Sequence, residues 1–402
     1  MVVKPWLSVI GIGEDGIDGL SARARALIEQ AGLVAGGARH LSLAAPLIRS
    51  ERLSWPTPLR DAMPMIAARS GTPVAVLASG DPNWFGVGET LREVASPEET
   101  LCIPAPSSLS LACARLGWAA QSVPAVSACG RPLEAIIPML RCGARIVVLS
   151  ADGKTPAALA ELLRERGCGR SILHVMEALG GPRERIRHMR AEDIVPHDVD
   201  PLNLVALEVE GPTGLPLASL PDDAFAHDSQ ITKREVRAGT LSALAPRPGG
   251  LLWDVGCGSG SVAIEWSRAH PSCRAIGIEP RADRAERAKA NARTVGVCGL
   301  RLVIGRAPAA LDGLPAPDAV FIGGGAREPG VIEAAWGALR PGGMLVVNAV
   351  TVETQALLMQ TRARLGGTLT RIGIERLDTV GSSHLHAFRP AMAVLQWAVQ
   401  KP

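Results

Sequence analysis

An acid that ends an apolar strand and is followed at once by three alternating glycines is the stretch of this sequence best suited to chemistry: Leu251-Leu-Trp-Asp254-Val-Gly256-Cys257-Gly258-Ser259-Gly260. Glycines there let the backbone turn sharply and approach a ligand at the mouth of the following helix. A dinucleotide-binding turn reads G-x-G-x-x-G. Here residue 261 is Ser, the third glycine comes one step early, and the Asp254 carboxylate would repel a pyrophosphate. The same carboxylate suits S-adenosyl-L-methionine, which carries an ammonium and a positive sulfur. Glu279 ends the next apolar strand, where an acid accepts hydrogen bonds from ribose hydroxyls. Further on, Gly323-Gly-Gly325 stands where an amine-methylating enzyme would carry an acidic or Asn-Pro-Pro motif, so the expected nucleophile is a carbon activated within the substrate.

The first half offers a second, different set. Val9-Ile-Gly11-Ile-Gly13 ends an apolar strand, Val76-Leu-Ala-Ser-Gly80-Asp81-Pro82 delivers another into a turn, and Ile103-Pro-Ala-Pro-Ser107-Ser108-Leu109 leads hydroxyls into a helix. Helix N-termini and small hydroxyl caps are natural polar ligand sites. Each segment alone reads equally well as an ordinary turn or cap; the ordered set points to a ligand. For an anionic substrate, guanidinium forks and ammonium groups are needed; Lys233, Arg234 and Arg237, ahead of the second-half glycine turn, and Arg327, after the glycine run at 323, are candidates, each of which also reads as a solvated surface charge. Arg281, Arg284 and Arg287 alternate with Asp283 and Glu286 on one helix and read as structural. His384 and His386, beside Gly381-Ser-Ser383, could handle a proton or lie idle at the surface; no catalytic residue is assigned.

These segments must be held by strands that feed glycine turns. Nine apolar runs read as strands: 7–12, 74–78, 145–149, 204–209, 251–255, 275–278, 319–322, 343–347 and 391–397. Ala/Leu/Arg-rich stretches between them, such as 21–31, 156–166 and 281–295, carry helical periodicity. The alternation predicts α/β architecture. With 402 residues, two or three domains are expected. Gly211, Pro212, Gly214, Pro216 and Pro221 break the rhythm, which predicts a domain at 1–210, a linker at 211–228 and a domain at 229–402, with no internal repeat between the halves.

Composition narrows the class. Forty-two basic against 39 acidic side chains give a net charge of +3, too balanced for a nucleic-acid binder. No Tyr and four Phe leave the cores to Val, Ile, Leu and Ala, which suits parallel sheets covered on both faces. Eight scattered cysteines form no Cys-x-x-Cys pair and sit at no zinc spacing, so buried, reduced thiols, no metal and a cytoplasmic setting are expected. Neither a signal peptide nor an apolar stretch long enough to span a bilayer is read, and no membrane partner is expected.

Ile231-Thr232-Lys-Arg-Glu-Val-Arg237, Asp254 to Gly260, Glu279, Gly305-Arg-Ala307-Pro and the glycine run at 323 together resemble the C15-methylating, decarboxylating methyltransferases of cobalamin biosynthesis. That resemblance implies a class I Rossmann-like fold in which Thr232 touches the cofactor and Ala307 packs against adenine. Gln230-Ile231 stands where that family has Pro-Gly. Residues 5–210 resemble the tetrapyrrole methylase family, a two-lobed α/β fold that holds its cofactor between lobes; further matches lie at 149–154, 176–181 and 202–208. Joined, the halves are similar to the fused C5,15-methyltransferases of cobalamin biosynthesis. The resemblance implies one S-adenosyl-L-methionine site per domain, an acidic tetrapyrrole (precorrin) substrate, two methyl transfers at C5 and C15 with loss of carbon dioxide from the C12 acetate, and a homo-oligomer, a tetramer through the C-terminal domain. Two other readings stay open from the residues: a methyltransferase of RNA or protein, and one catalytic half joined to a scaffold half.

Overall fold

The computed structural model describes residues 5–212, 214–381 and 384–402. The chain divides into two compact units, Met1–Leu133 with Arg141–Thr213 and Glu134–Leu140 with Gly214–Pro402.

The first unit holds two sheets. Strands β1 (Leu7–Ile12), β2 (Leu33–Gly36), β3 (Glu51–Ser54), β4 (Val74–Ser79) and β5 (Thr100–Ile103) form an all-parallel sheet in the order β3-β2-β4-β1-β5. β1 is buried at every residue, and β4 at all but its last. Helices α1 (Ala22–Gln30) and α2 (Ala38–Leu43) and the short α3 (Met63–Ala67) and α4 (Gly88–Leu91) connect these strands. Ser21 caps α1 by accepting from the Ala24 N–H. The second sheet runs β6 (Ala125–Ser127), β7 (Arg145–Leu149), β10 (Asn203–Glu208), β8 (Ile172–Glu177) and β9 (Arg185–Arg190), parallel only between β6 and β7. Helices α5 (Ser108–Leu116) and α6 (Thr155–Glu165) belong to this lobe.

The second unit is one seven-stranded sheet: β11 (Leu251–Val255), β12 (Arg274–Glu279), β13 (Arg301–Ile304), β14 (Ala319–Ile322), β15 (Met344–Ala349), β16 (Thr368–Ile372) and β19 (Val394–Gln400), ordered β13-β12-β11-β14-β15-β19-β16. The first five run parallel, and β19 is antiparallel to both its neighbours. β17 (Glu375–Thr379) and β18 (His386–Pro390) make a separate hairpin exposed at every residue. Helices α7 (Arg234–Leu244), α8 (Ser261–Ala269), α9 (Ala282–Thr294), α10 (Val331–Ala338) and α11 (Val352–Leu365) complete the unit. Trp253, Trp397, Val320 and Leu345 share one face of its core, and Trp266, Phe321 and Val346 the other.

Both units are α/β, as the alternation predicts. Several strands that the pattern missed are short or charged: β2 and β3 have four residues each, and β9 reads Arg-Ile-Arg-His-Met-Arg at a sheet edge; β8, six residues and largely apolar, was missed as well. Composition misled at the join. In the described part of 211–228, Leu220 is fully buried, Phe225 nearly so, and both pack with Ile264, Ala292 and Val295. The segment is thus a strap folded on the second unit rather than a flexible linker. Its prolines and glycines set bends, while its few large apolar residues supply the anchors. The cysteines divide: Cys113, Cys168, Cys257 and Cys273 are buried, whereas Cys129 and Cys142 are exposed.

Candidate active sites

In the second unit, parallel pairing sets the carboxyl ends of β11, β12 and β14 side by side, the place where open α/β sheets bind ligands. Gly256, Gly258 and Gly260 all have positive φ (+72°, +56° and +78°), which L side chains rarely adopt. A Cβ on Gly256 would lie 2.8 Å from the backbone of Gly324, so glycine at 256 is what lets the two turns touch. The loop is held open by its neighbours. Gly256 and Cys257 donate to the Ile278 carbonyl, Gly258 donates to Glu279 Oε2 at 2.9 Å, and Asn291 Nδ2 donates to the Ser259 carbonyl at 2.9 Å. Gly260 then starts α8.

Asp254 is 1 % exposed. One carboxylate oxygen accepts from the Ala263 N–H at 3.1 Å; the other, Oδ1, is buried with no partner among the described residues. Burial, with the Ala263 N–H opposing and Glu279 reinforcing, pushes its carboxyl up to about 7. Burial likewise drives the Cys257 thiol well above its usual range, which keeps it a neutral thiol. An unsatisfied buried acid beside a glycine cradle is a group awaiting a cationic donor, because such an oxygen is costly to leave bare. The nucleoside-sized space exists: Asp254, Gly256 to Ser259, Glu279, Ala307 and Thr232 line a cavity of ≈ 760 Å³, within the roughly 300–1,000 Å³ of ligand pockets. Gly260 lies behind them against Ala288.

The sequence-predicted cations fare unevenly. Lys233 lines the cavity and pairs loosely with Asp222 at 3.7 Å. Arg234 and Arg327 are exposed neighbours of lining residues and do not themselves line it. Arg237 is a correction. Its side chain is 0 % exposed, paired with Glu265 at 2.6 Å and Asp222 at 3.1 Å, bonded to the Leu220 and Thr232 carbonyls, and stacked over Phe225. It fastens the strap and cannot reach a substrate. Sequence reasoning missed Arg306 and Arg376, which do line the cavity and pair with Glu328 and Glu235. Arg284 also lines it, though Asp228 and Gln230 hold its guanidinium as a structural tie. His384 and His386 are exposed and outside the lining.

In the first unit the three predicted segments converge at the carboxyl ends of β1, β4 and β5. A Cβ on Gly11 would fall 1.8 Å from the Gly80 carbonyl oxygen and 2.5 Å from Ala105 N. Gly80 has φ +53°, donates to the Ile12 carbonyl and accepts from Ala105. Gly13 has open space apart from the Asp15 carboxylate. Asp81 turns back to accept from the Asn83 N–H at 2.9 Å, and Ser107 caps α5 through Ser110, with Ser108 the first helical residue. The sheet order places β1 between β4 and β5, so chain connections diverge at this edge, as at a topological switch point.

Comparison with known proteins follows the two units. Residues 7–195 match the model of Tetrapyrrole (Corrin/Porphyrin) Methylases, and residues 223–401 match that of the Precorrin methyltransferase domain. A precorrin-6Y C(5,15)-methyltransferase (decarboxylating) from Sinorhizobium sp is 54 % identical over 404 residues, covering 100 % of this chain and 97 % of that protein. Its counterpart from Mycobacterium tuberculosis H37Rv is 41 % identical over 397 residues, covering 98 % and 99 %. Among solved structures, the C-terminal domain of precorrin-6Y C5,15-methyltransferase from Rhodobacter capsulatus is 48 % identical, covers 46 % of this chain and 100 % of its own, and superposes with a TM-score of 0.44. Matched along its whole length at such identity, the chain belongs to the precorrin-6Y C(5,15)-methyltransferase (decarboxylating) family.

Proposed function

We propose that the chain moves two methyl groups from S-adenosyl-L-methionine to a precorrin, at C5 in the first unit and at C15 in the second, with loss of carbon dioxide from the C12 acetate. Membership of the family supports the overall reaction. The observation that carries a donor site in the second unit is the buried Asp254 oxygen, without a partner among the described residues, at the start of a turn of three left-handed glycines. For the first unit the support is the close approach of Gly11, Gly80 and Ala105, which leaves a backbone-lined edge with the Ser107 cap beside it.

Methyl transfer from a sulfonium is an in-line displacement, so the protein's work is alignment and exclusion of water. Glu279 would take the ribose hydroxyls with its remaining lone pairs, and Asp254 the ammonium. Lys233, Arg306 and Arg376 would meet substrate carboxylates around the cavity, with Arg234 and Arg327 outside it. Assembly as a homo-oligomer through the second unit, as a tetramer, is also proposed. Leu377, Leu385 and Phe388, each more than 60 % exposed, are apolar surface that a second copy would cover, and a two-stranded hairpin is marginal alone in water. No helix among the described residues is long and apolar enough to cross a membrane.

Calorimetric titration of S-adenosylhomocysteine into the full chain tests the reading. Two sites per chain are expected, one of them lost in Asp254→Asn and the other in Gly13→Val, whose added Cβ meets only the Asp15 carboxylate. Product masses should show two methyl gains and one loss of carbon dioxide. A single site unaffected by either substitution would overturn the assignment.

A further inference from the structure

In the first unit, β4 ends on Ser79, the one exposed residue of that strand, directly before the Gly80 turn. Its hydroxyl lies 2.8 Å from His40 Nε2 and 2.8 Å from Arg39 Nη2, and Arg39 Nη2 lies 2.9 Å from the same imidazole nitrogen. A guanidinium has only protons to give. His40 Nε2 must therefore carry a lone pair, the ring is neutral with its proton on Nδ1, and Ser79 Oγ–H can donate to Nε2. The other nitrogen, Nδ1, is buried with no partner among the described residues. The charged groups facing the ring are Arg39 beside it and Glu14, from the loop after β1, which is paired with Arg39 and with Arg183. Burial first, then Arg39, hold the imidazole down to about 4, with Glu14 opposing.

A structural Ser–His–Arg contact at a strand end would leave this hydroxyl inert. What argues otherwise is place and chemistry together. The hydroxyl sits at the edge where Gly11, Gly80 and Ala105 converge, and methylation there would leave a proton to dispose of. When a methyl group replaces hydrogen on an unsaturated ring carbon, the π pair of that carbon forms the new C–C bond. The S–C bond breaks with its electrons left on sulfur as a thioether, and the adduct is cationic. Its C–H bond must then break, the pair returning to the ring and the proton leaving. A C–H beside a cationic conjugated system is acidic, so a weak base suffices, and a weak base stays unprotonated at neutral pH.

We propose that Ser79 and His40 are the proton acceptor of the first methyl-transfer site: Ser79 Oγ takes the proton from the newly methylated carbon as its own proton passes to His40 Nε2. Ser79 is the catalytic residue, and His40 acts through it. Arg39 donates to Ser79 Oγ, which leaves the single Nε2 lone pair to the Ser79 proton, and Glu14 holds Arg39 and stands ready to face the imidazolium that forms. This inference rests on the first unit being a methyl-transfer site.

The test uses the full chain with its tetrapyrrole substrate and S-adenosyl-L-methionine. Ser79→Ala and His40→Gln are each expected to slow one of the two methyl gains by about 100-fold or more, with two S-adenosylhomocysteine sites still titrating and the other methyl gain unchanged. Ser79→Thr, which keeps the hydroxyl, should restore the rate. Deuterium at the accepting carbon should slow His40→Gln several-fold more than the wild type. Nitrogen-15 spectra should show His40 with its proton on Nδ1 from pH 8 down to pH 5. Wild-type rates in Ser79→Ala or His40→Gln, failure of Ser79→Thr to restore the rate, absence of the isotope effect, or a ring that titrates in the ordinary histidine range would overturn the pair. Gly13→Val separates the two levels. If it abolishes one methyl gain while Ser79→Ala and His40→Gln do not slow it, the pair alone falls. If it abolishes neither, the first unit is not a methyl-transfer site and the pair falls with that reading.

Discussion

Donor binding to the second unit should strengthen as pH rises from 6 to 8, and the cause is one carboxyl group. Asp254 is fully buried, has a single N–H donor on one oxygen and none on the other, and lies near the Glu279 carboxylate. These features raise it from 3.8 to about 7 in the unliganded protein, a shift that represents about 4 kcal/mol of preference for the neutral form. A ligand ammonium seated beside it supplies the missing counter-charge and favours the carboxylate. Below pH 7 the carboxyl must therefore lose a proton for the ligand to bind, and above pH 7 it has already done so. The ionised fraction rises from roughly one-tenth at pH 6 to roughly nine-tenths at pH 8. Affinity should thus rise about tenfold, or about 1.4 kcal/mol, and then level off. Titration of S-adenosylhomocysteine in two buffers of different ionisation enthalpy should reveal release of about one proton per second-unit site at pH 6 and almost none at pH 8. Asp254→Asn should abolish both the pH dependence and the proton release, identifying the site responsible. Equal affinity at the two pH values, with heats independent of buffer, would mean the carboxylate is already charged in the free protein, and the desolvation argument would be wrong.

Other expectations concern packing and charge. Arg237→Leu should destabilise the second unit by about 3–5 kcal/mol in urea unfolding, because Glu265 and Asp222 lose their buried partner; a loss under 1 kcal/mol would deny its fastening role. Gly256→Ala should remove donor binding from the second unit, since its Cβ would collide with Gly324 and its φ of +72° costs roughly a further 1–2 kcal/mol; retained affinity would show that the two turns part freely. Arg376→Ala should raise KM for the tetrapyrrole about tenfold with kcat little changed, as loss of a carboxylate contact made equally in ground and transition states requires; an unchanged KM would remove Arg376 from the substrate site. Phe388→Glu with Leu377→Glu should shift the protein to a smaller species in light scattering if the hairpin is an interface between copies; an unaltered mass would place the interface elsewhere.

Local rules made the framework of this protein legible. Apolar runs buried on both faces become parallel strands wherever they fall, so β1, β4, β11, β12 and β14 could be read from composition and spacing. The turns that follow them were legible for the same reason: a backbone that needs positive φ selects glycine residue by residue, as at 80, 256, 258 and 260. Charge was different. Arg237 and Arg376 look alike in sequence, and only folding buries the first against Glu265 and leaves the second at the cavity. A guanidinium serves as an internal tie or as a ligand according to what lies opposite it, and those partners come from 28 residues away in one case and 141 in the other. The strap was misread because bends and anchors have separate causes: prolines mark the bends, but whether Leu220 and Phe225 find a core depends on α8 and α9. The pairing of Ser79 with His40 was equally hidden, since adjacent parallel strands β2 and β4 align their carboxyl ends across 39 residues of chain. The sequence by itself determined which backbone could turn tightly enough to cradle a ligand; tertiary structure decided which charges and hydroxyls would face it, because burial and long-range partnership are properties of the folded chain alone.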